Sequence, residues 1–508
     1  MWKRVSNFAE LSWKLNNHKI IRKMSLIRNQ GLINGEWVSS INSETFNVEN
    51  PVDQSIITQV PDMNIDDTKL AINASKIAFD KFSKTTAKER SDLLRSWYNL
   101  MVKNSEQLAE ILTKENGKSL AESRGEIKYG NSFVEWFSEE ARRINGEILQ
   151  APMNNRELMI IKRPIGPAAL ITPWNFPHAM ITRKVGAAIA AGCTCVIKPS
   201  EETPLTALAL GKLAQDAGFP PGVINIITTG PKNSASVGKL LCEDPIIRVL
   251  SFTGSTNVGK ILYKQCSSTI KRLSLELGGN APYIVFNNSN IELAVNGAMA
   301  CKFRNTGQTC VSANRFYIQN NVFDEFLNKF IQKINNDIKM GDGLSSSTTH
   351  GPLIKKSQID NIENLVNDAI SKGAKLHCGG KRLNNIGSLF YEPTVLTDVT
   401  ENMNIYDREI FGPVAVLHRF DNEDDVLKKA NSVPVGLAGY FWSNDVSQIF
   451  RVARKLEVGM IGVNEGLISC TEAAFGGVKE SGLGREGSSH GIDDFIDIKY
   501  LCIGNIQY

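Results

Sequence analysis

A doubly wound α/β fold with a second α/β domain beside it is predicted by three observations. The first is length: 508 residues, 42% of them hydrophobic, can bury a large core and exceed the usual size of one domain. The second is an alternation, between Ala168 and Gly279, of short β-branched or apolar runs with helix-like segments. The third is a further α/β stretch after Asn288, with no repeat or low-complexity linker between the two.

In the first section, Ala169–Ile171, Cys195–Ile197, Val223–Ile227 and Val249–Phe252 read as strands, and Ile181–Ala191, Pro204–Ala217 and Val258–Cys266 read as helices between them. Strand, helix, strand at this pitch implies right-handed crossovers and a parallel sheet covered on both faces. Upstream, Asp66–Phe82 and Lys88–Leu112 carry a helical period with charged outer faces, which suits helices packed on that sheet. The second section opens with a helix over Ile291–Cys301 and continues through strands such as Arg315–Ile318 and Val414–His418. A turn-rich run, Gly476 to Gly484, ends it, and Ile492–Ile503 alternates as a strand does.

The first 28 residues carry seven lysines and arginines against Glu10 alone. That leader charge of +6 exceeds the +4 of the whole chain, so the remaining residues are close to −2. A basic surface for nucleic acid is therefore not expected on the folded body. A basic, acid-poor, partly amphipathic leader is the composition of a mitochondrial targeting segment; a frayed basic tail of a cytoplasmic protein reads the same, and Met24 offers an internal start. The longest apolar run, Val185–Ile197, is too short to cross a bilayer, so no membrane partner is expected. Nine scattered cysteines fit a reducing compartment rather than a disulfide scaffold. Without a Cys-x-x-Cys pair or an His-Glu-x-x-His run, no metal site is expected.

Chemistry is suggested by Cys310, closing Gly307-Gln308-Thr309-Cys310, together with Glu276 in Leu275-Glu276-Leu277-Gly278-Gly279. A cysteine attacks a carbonyl as its thiolate, and the resulting thioester needs an activated water to release an acid. Glu276 leaves a strand end on a flexible Gly-Gly turn, a placement that suits a carboxylate moving between water and thioester. Asn175 follows a parallel strand on a loop, where doubly wound sheets bind ligands, and its amide can donate to an oxyanion together with the Cys310 N–H. Taken singly, each has a plain reading: a buried thiol, a surface acid, a turn asparagine. Gly254 to Lys260 imitates a phosphate loop, but Ile261 stands where a magnesium-binding hydroxyl is required, which removes the nucleotide-triphosphatase reading.

Six motifs, Pro173-Trp174-Asn175-Phe176-Pro177, Lys198-Pro199-Ser200-Glu201, Phe252-Thr253-Gly254-Ser255, Leu275 to Gly279, Gly307 to Cys310 and Glu409-Ile410-Phe411-Gly412-Pro413, resemble the aldehyde dehydrogenase superfamily in order and spacing over roughly Gly31 to Tyr500. The resemblance implies a nicotinamide-binding domain (residues 29–145 and 166–285), a catalytic domain (286–480) and a small β oligomerisation segment (146–165 and 481–508), giving a homodimer or homotetramer. It assigns Cys310, Glu276 and Asn175 to catalysis, and Thr172, Pro173, Trp174, Lys198, Ser200, Glu201, Gly254, Ser255, Glu409 and Phe411 to the coenzyme. A carboxylate at Glu201 would accept bonds from the adenosine ribose and repel a 2′-phosphate, so NAD is expected over NADP.

Within the superfamily, Phe176 to Gly186, Lys302 to Thr306 and Asn464 to Ser469 resemble the succinate-semialdehyde dehydrogenase subgroup. That likeness makes Arg183, Arg304 and Ser469 candidates for gripping a distal carboxylate of an aldehyde substrate, since guanidinium suits bidentate carboxylate binding. Cys470 stands where a second small hydroxyl is expected, so Ser469 and Cys470 both remain open for that contact. A dehydrogenase for another ω-carboxylated aldehyde such as glutarate semialdehyde, one for neutral aldehydes, and an inactive scaffold are the alternatives. Ser312 occupies the position of a second cysteine found in some relatives, so no disulfide switch is expected there.

Overall fold

The computed structural model describes residues 26–507, so the basic leader lies almost wholly outside the described residues. Two sheets organise the rest. The first has eight strands in the order Glu36–Val38, Gly31–Ile33, Ile224–Ile226, Cys195–Lys198, Ala168–Ile171, Val249–Thr253, Arg272–Glu276 and Gly482–Leu483. Its five central strands run parallel and its flanking strands antiparallel. All four residues of Ala168–Ile171 and of Cys195–Lys198 are buried, as strands covered on both faces must be. The second sheet has seven strands: Lys375–Cys378, Thr394–Thr397, Val414–Phe420, Ala313–Gln319, Ala281–Val285, Ala438–Trp442 and Met460–Val463.

The α/β class is as expected, but two limits move. Ala281–Val285 pairs in parallel with Ala313–Gln319 and Ala438–Trp442, so the passage from one sheet to the other falls at Leu277–Asn280 rather than after residue 285. A buried strand finds its sheet through edge hydrogen bonds, which composition does not reveal. Gly482–Leu483, expected in the oligomerisation segment, pairs instead with Leu275–Glu276 at the edge of the first sheet.

The helices also depart from the reading in detail. Lys88–Leu112 is two helices, Ala87–Lys103 and Ser105–Asn116, separated at Asn104, whose Nδ2 donates to Leu100 O at 2.7 Å and so closes the first helix. The helix expected at Ile181 begins at Pro177, where a fixed φ and a missing N–H suit the first position. Neither this helix nor Pro204–Asp216 has a capping side chain of its own. Buried carboxylates from elsewhere do that work: Glu126 Oε1 accepts from His178 N at 2.9 Å, and Glu115 accepts from Leu205 N at 2.7 Å and Thr206 N at 2.8 Å.

Both acids come from the helices over the sheet. Glu126 lies on Leu120–Glu140, a helix with no counterpart in the reading above, where two glycines weaken the helical signal. Gly130 is a packing requirement: a Cβ there would come 2.2 Å from His178 Cδ2 on the crossing helix. A third, small sheet joins Glu147–Leu149, Arg156–Pro164 and Ile496–Gly504. Ile148, Ile498 and Tyr500 on it are exposed. Among the described residues no helix is long and apolar enough to cross a membrane.

Candidate active site

Asn175, Cys310 and Glu409 come from three separate turns that line one cavity. Glu276, the last residue of the strand Arg272–Glu276, lies outside its wall but close enough for its charge to act on Cys310. The strand Ala168–Ile171 ends in Thr172–Phe176, which carries Asn175 into the helix at Pro177. Arg272–Glu276 ends on Glu276, and the chain then crosses to the second sheet. Cys310 follows Ile291–Phe303 through Asn305, Thr306 and Gly307, all with left-handed φ of 52°, 55° and 76°. A Cβ at Gly307 would lie 2.1 Å from Gly412 O, so the close approach of this turn to the Glu409–Pro413 loop requires glycine.

A cavity of about 310 Å³ is lined by Trp174, Asn175, Ser255, Cys310, Glu409 and Phe411 among others. A second, of about 610 Å³, is lined by Lys118, Tyr129, Phe176, Arg304 and Ser469. The adjacent residues Asn175 and Phe176 stand one on each, so this turn lies between the two cavities, and Cys310 lines the smaller one.

Burial pushes the Cys310 thiol up to about 12; Arg183 pulls it back, and Glu409 and Glu276 push it further. Glu276 is 2% exposed, and neither carboxyl oxygen has a hydrogen-bond partner among the described residues. Burial, then the charge of Glu486, raise it well above the usual carboxylate value. Raised in this way the carboxylate is a stronger base than one in water, as a general base requires. Asn175 is 5% exposed; its Nδ2 donates to Gln308 O at 3.1 Å, and its Oδ1 has no partner among the described residues. An amide has two N–H groups, so one remains for a ligand.

The residues expected at the coenzyme fit a dinucleotide. Lys198, 5% exposed, has its amine pulled down by burial and pushed up by Glu201 and Asp62, and it has no hydrogen-bond partner among the described residues. The hydroxyls of Thr172 and Thr253 are buried without partners. Ser255 caps the helix Thr256–Cys266 by accepting from Val258 N at 3.3 Å, which aims a helix N-terminus at the cleft. The Gly254 N–H, by contrast, already donates to Glu276 O at 3.0 Å and is not free for a phosphate. Ser200 accepts from Glu202 N at 3.3 Å in the turn that presents Glu201. Glu409 accepts from Gly279 N at 3.2 Å and is pushed up to about 7 by burial; Phe411 packs edge-on to Trp174, ring centroids 5.6 Å apart. Pro173 lines the same wall.

A family model described as "Aldehyde dehydrogenase family" matches residues 37–501. The chain belongs to that family. It is therefore an oxidoreductase acting on aldehydes, with NAD(P) as coenzyme. It is 50% identical to the mitochondrial succinate-semialdehyde dehydrogenase of Homo sapiens over 482 residues, 95% of this chain and 90% of that protein. It is 49% identical to the succinate-semialdehyde dehydrogenase [NADP(+)] GabD of Escherichia coli over 480 residues, 94% of this chain and 98% of that one. The solved succinate-semialdehyde dehydrogenase of Burkholderia pseudomallei superposes with a TM-score of 0.92 at 48% identity, covering 94% and 98% of the two chains. A betaine aldehyde dehydrogenase of Staphylococcus aureus solved with NAD+ superposes equally well at 33% identity over 96% and 98%.

For an aldehyde dehydrogenase the substrate side is informative. Arg304 and Ser469 stand on the wall of the larger cavity, with the Arg304 guanidinium 4.7 Å from the Phe176 ring centroid. Arg183 is not among the residues lining either cavity. It is fully buried, paired with Glu486 and lying 4.6 Å from the Phe475 ring centroid, yet its Nη1 and Nη2 make no hydrogen bond among the described residues. Cys470 is exposed and lies off this cavity, on a separate one beside Phe475.

Several neighbours were not legible beforehand. Glu486 ion-pairs with both Arg183 and Lys184, and Lys184 also donates to Ser251 Oγ at 2.8 Å. Burial alone would raise Glu486, but the two cations hold it below the usual carboxylate value. One acid, Glu486, and three cations, Arg183, Lys184 and Arg485, thus act on the charge of Glu276. Tyr129, lining the larger cavity, has a buried hydroxyl without a partner. The adjacent Arg183-Lys184 is the only local signal for this cluster, because Glu486 arrives from the far end of the chain.

Proposed function

We propose that this aldehyde dehydrogenase oxidises succinate semialdehyde to succinate, with NAD, through a thioester on Cys310. One observation carries the substrate: Arg304 and Ser469 line the larger cavity, whose wall includes Phe176, the neighbour of Asn175. The Arg304 guanidinium on that wall suits an anion, which it can bind through two N–H groups. A four-carbon aldehyde ending in carboxylate supplies that anion while presenting its carbonyl to the thiol.

Cys310 releases its proton to solvent and its sulfur attacks the aldehyde carbon. Asn175 Nδ2 and the Cys310 N–H hold the resulting oxyanion. The carbon held on Cys310 gives up its hydride as the carbonyl re-forms, leaving the thioester; NAD, when bound, would supply the hydride acceptor. Thr172, Pro173, Trp174, Lys198, Ser200, Glu201, Ser255, Glu409 and Phe411 would hold it, through a buried amine, hydroxyls, carboxylates, the helix N-terminus and aromatic faces. Glu276 then takes a proton from water as the water oxygen adds to the thioester carbon. Collapse breaks the carbon–sulfur bond, releasing succinate and the Cys310 sulfur, and Glu276 returns its proton to solvent.

The preference for NAD rests on Glu201; comparable kcat/KM with NADP would remove it. The exposed apolar residues of the third sheet, Ile148, Ile498 and Tyr500 among them, support assembly as a homodimer or homotetramer, read by light scattering. The basic leader supports mitochondrial import, against a cytoplasmic location, read by imaging the full chain with and without residues 1–28.

The deciding test of substrate is turnover on succinate semialdehyde against butanal. Arg304→Ala should raise KM for the first with little change for the second; equal effects on both would contradict a carboxylate subsite.

A further inference from the structure

Lys118 sits in the short turn between Ser105–Asn116 and Leu120–Glu140, and its side chain is 1% exposed. Its amine donates to Glu126 Oε2 at 2.6 Å and to the backbone oxygen of Asn175 at 2.7 Å. Its nitrogen also lies 4.1 Å from the centroid of the Phe176 ring. Carboxylate, carbonyl and ring thus hold the ammonium beside the larger cavity, at the turn that carries the oxyanion donor.

The same carbonyl is gripped from the opposite side. Asn305 Nδ2 donates to Asn175 O at 3.0 Å and to Gln308 O at 3.2 Å, while Asn175 Nδ2 donates to that same Gln308 O at 3.1 Å. Asn305 is itself held by its backbone N–H donating to Glu122 Oε1 at 2.6 Å, in a left-handed conformation. The Asn175 turn therefore rests between two arms, one from the helices over the first sheet and one from the segment leading to Cys310.

We infer that Lys118, supported by Glu126, and Asn305 are positioning residues for Asn175: they clamp its peptide so that its amide spends one N–H on Gln308 O and directs the other at the Cys310 oxyanion. This rests on the proposed role of Asn175. The chemistry favours positioning over stability. A buried ion pair adds little net stability relative to an apolar pair of the same size, whereas no apolar pair can donate to Asn175 O. Glu126 has a second task that fits, since its Oε1 caps the helix starting at Pro177 and so fixes the other end of the turn. Oxyanion stabilisation is steeply sensitive to donor placement, a misplacement of about 1 Å costing on the order of 100-fold in rate.

The test compares Lys118→Met/Glu126→Gln, which leaves no unpaired buried charge, Asn305→Gly, which keeps the left-handed backbone, and Asn175→Ala. Steady-state turnover, NADH affinity by fluorescence, alkylation of Cys310 by iodoacetamide, and the isotope effect with substrate deuterated at the aldehyde carbon are measured on each. Both clamp variants should lose roughly 10- to 100-fold in kcat, with NADH affinity and Cys310 alkylation unchanged and an isotope effect larger than in the parent. A merely structural role would lower coenzyme binding and alkylation together with turnover, and that result overturns the inference. So does a parental kcat in either clamp variant while Asn175→Ala is impaired. Full turnover by Asn175→Ala would instead overturn the underlying role of Asn175.

Discussion

Arg183 and Glu486 form a fully buried ion pair, and Glu486 grips Lys184 as well. The pair sets the electrostatic environment of Glu276, because Glu486 pushes the Glu276 carboxyl up while Arg183 and Lys184 pull it down.

Glu486→Gln should therefore shift the pH dependence of thioester hydrolysis. Glu276 works as a base only when ionised, so the rate rises with pH through its folded-state pKa. Removing the Glu486 charge lowers that pKa, and the rising limb should move to lower pH. The variant should also lose about 3–5 kcal/mol of stability, because two buried cations lose their counter-charge. Single-turnover deacylation across pH, with denaturant melts alongside, checks both; an unmoved limb contradicts the coupling.

Arg304→Ala and Ser469→Ala should act on substrate affinity. Each removes a donor from the wall of the larger cavity. The loss of a charge-assisted bond, about 1.5–3 kcal/mol, corresponds to a rise in KM of roughly 10- to 100-fold for Arg304→Ala and less for Ser469→Ala. Ser469 is the residue of the Ser469-Cys470 pair that faces this cavity, so Cys470→Ala should leave KM unaltered. Steady-state kinetics on succinate semialdehyde settles which of the two matters.

His178 ties stability to pH. It is fully buried, its Nε2 lies 2.9 Å from Asn131 Oδ1, and burial pulls it down to about 3 from the usual 6.5. The unfolded chain thus binds a proton that the folded chain refuses between about pH 6.5 and 3. The stabilisation is complete above 6.5 and is lost as pH falls through that window, at up to about 1.4 kcal/mol per pH unit. Comparing the parent with His178→Gln by urea titration at pH 7 and pH 5 isolates this proton; equal slopes in both would contradict it.

How far the sequence reveals this site depends on the distance over which each residue acts. Asn175, Glu276 and Cys310 each lie in a contiguous run whose neighbours, Pro173 and Pro177, the glycine pair after Glu276, and Gly307, build the turn that presents them. Local chemistry marks them as candidates, and the resemblance of the surrounding motifs supplies their roles. Glu486, Lys118, Glu126 and Asn305 act through bonds to residues remote in the chain, and nothing in their own neighbourhoods marks them. Arg183 illustrates both cases: its charge is evident beforehand, but its burial against Glu486 is not. The domain limit at residue 285 failed for the same reason, since Ala281–Val285 is apolar enough for either sheet and only its pairing partners decide.

Glu276→Gln should keep coenzyme binding and the first hydride transfer while stopping hydrolysis. Mixed rapidly with NAD and succinate semialdehyde, it should release one NADH per active site and then nearly stop. Mass spectrometry of the protein quenched at that point tests the thioester most directly. A succinyl adduct confined to the peptide bearing Cys310 is the expected result; a full NADH burst with no adduct, or with the adduct on another residue, would contradict covalent catalysis at Cys310.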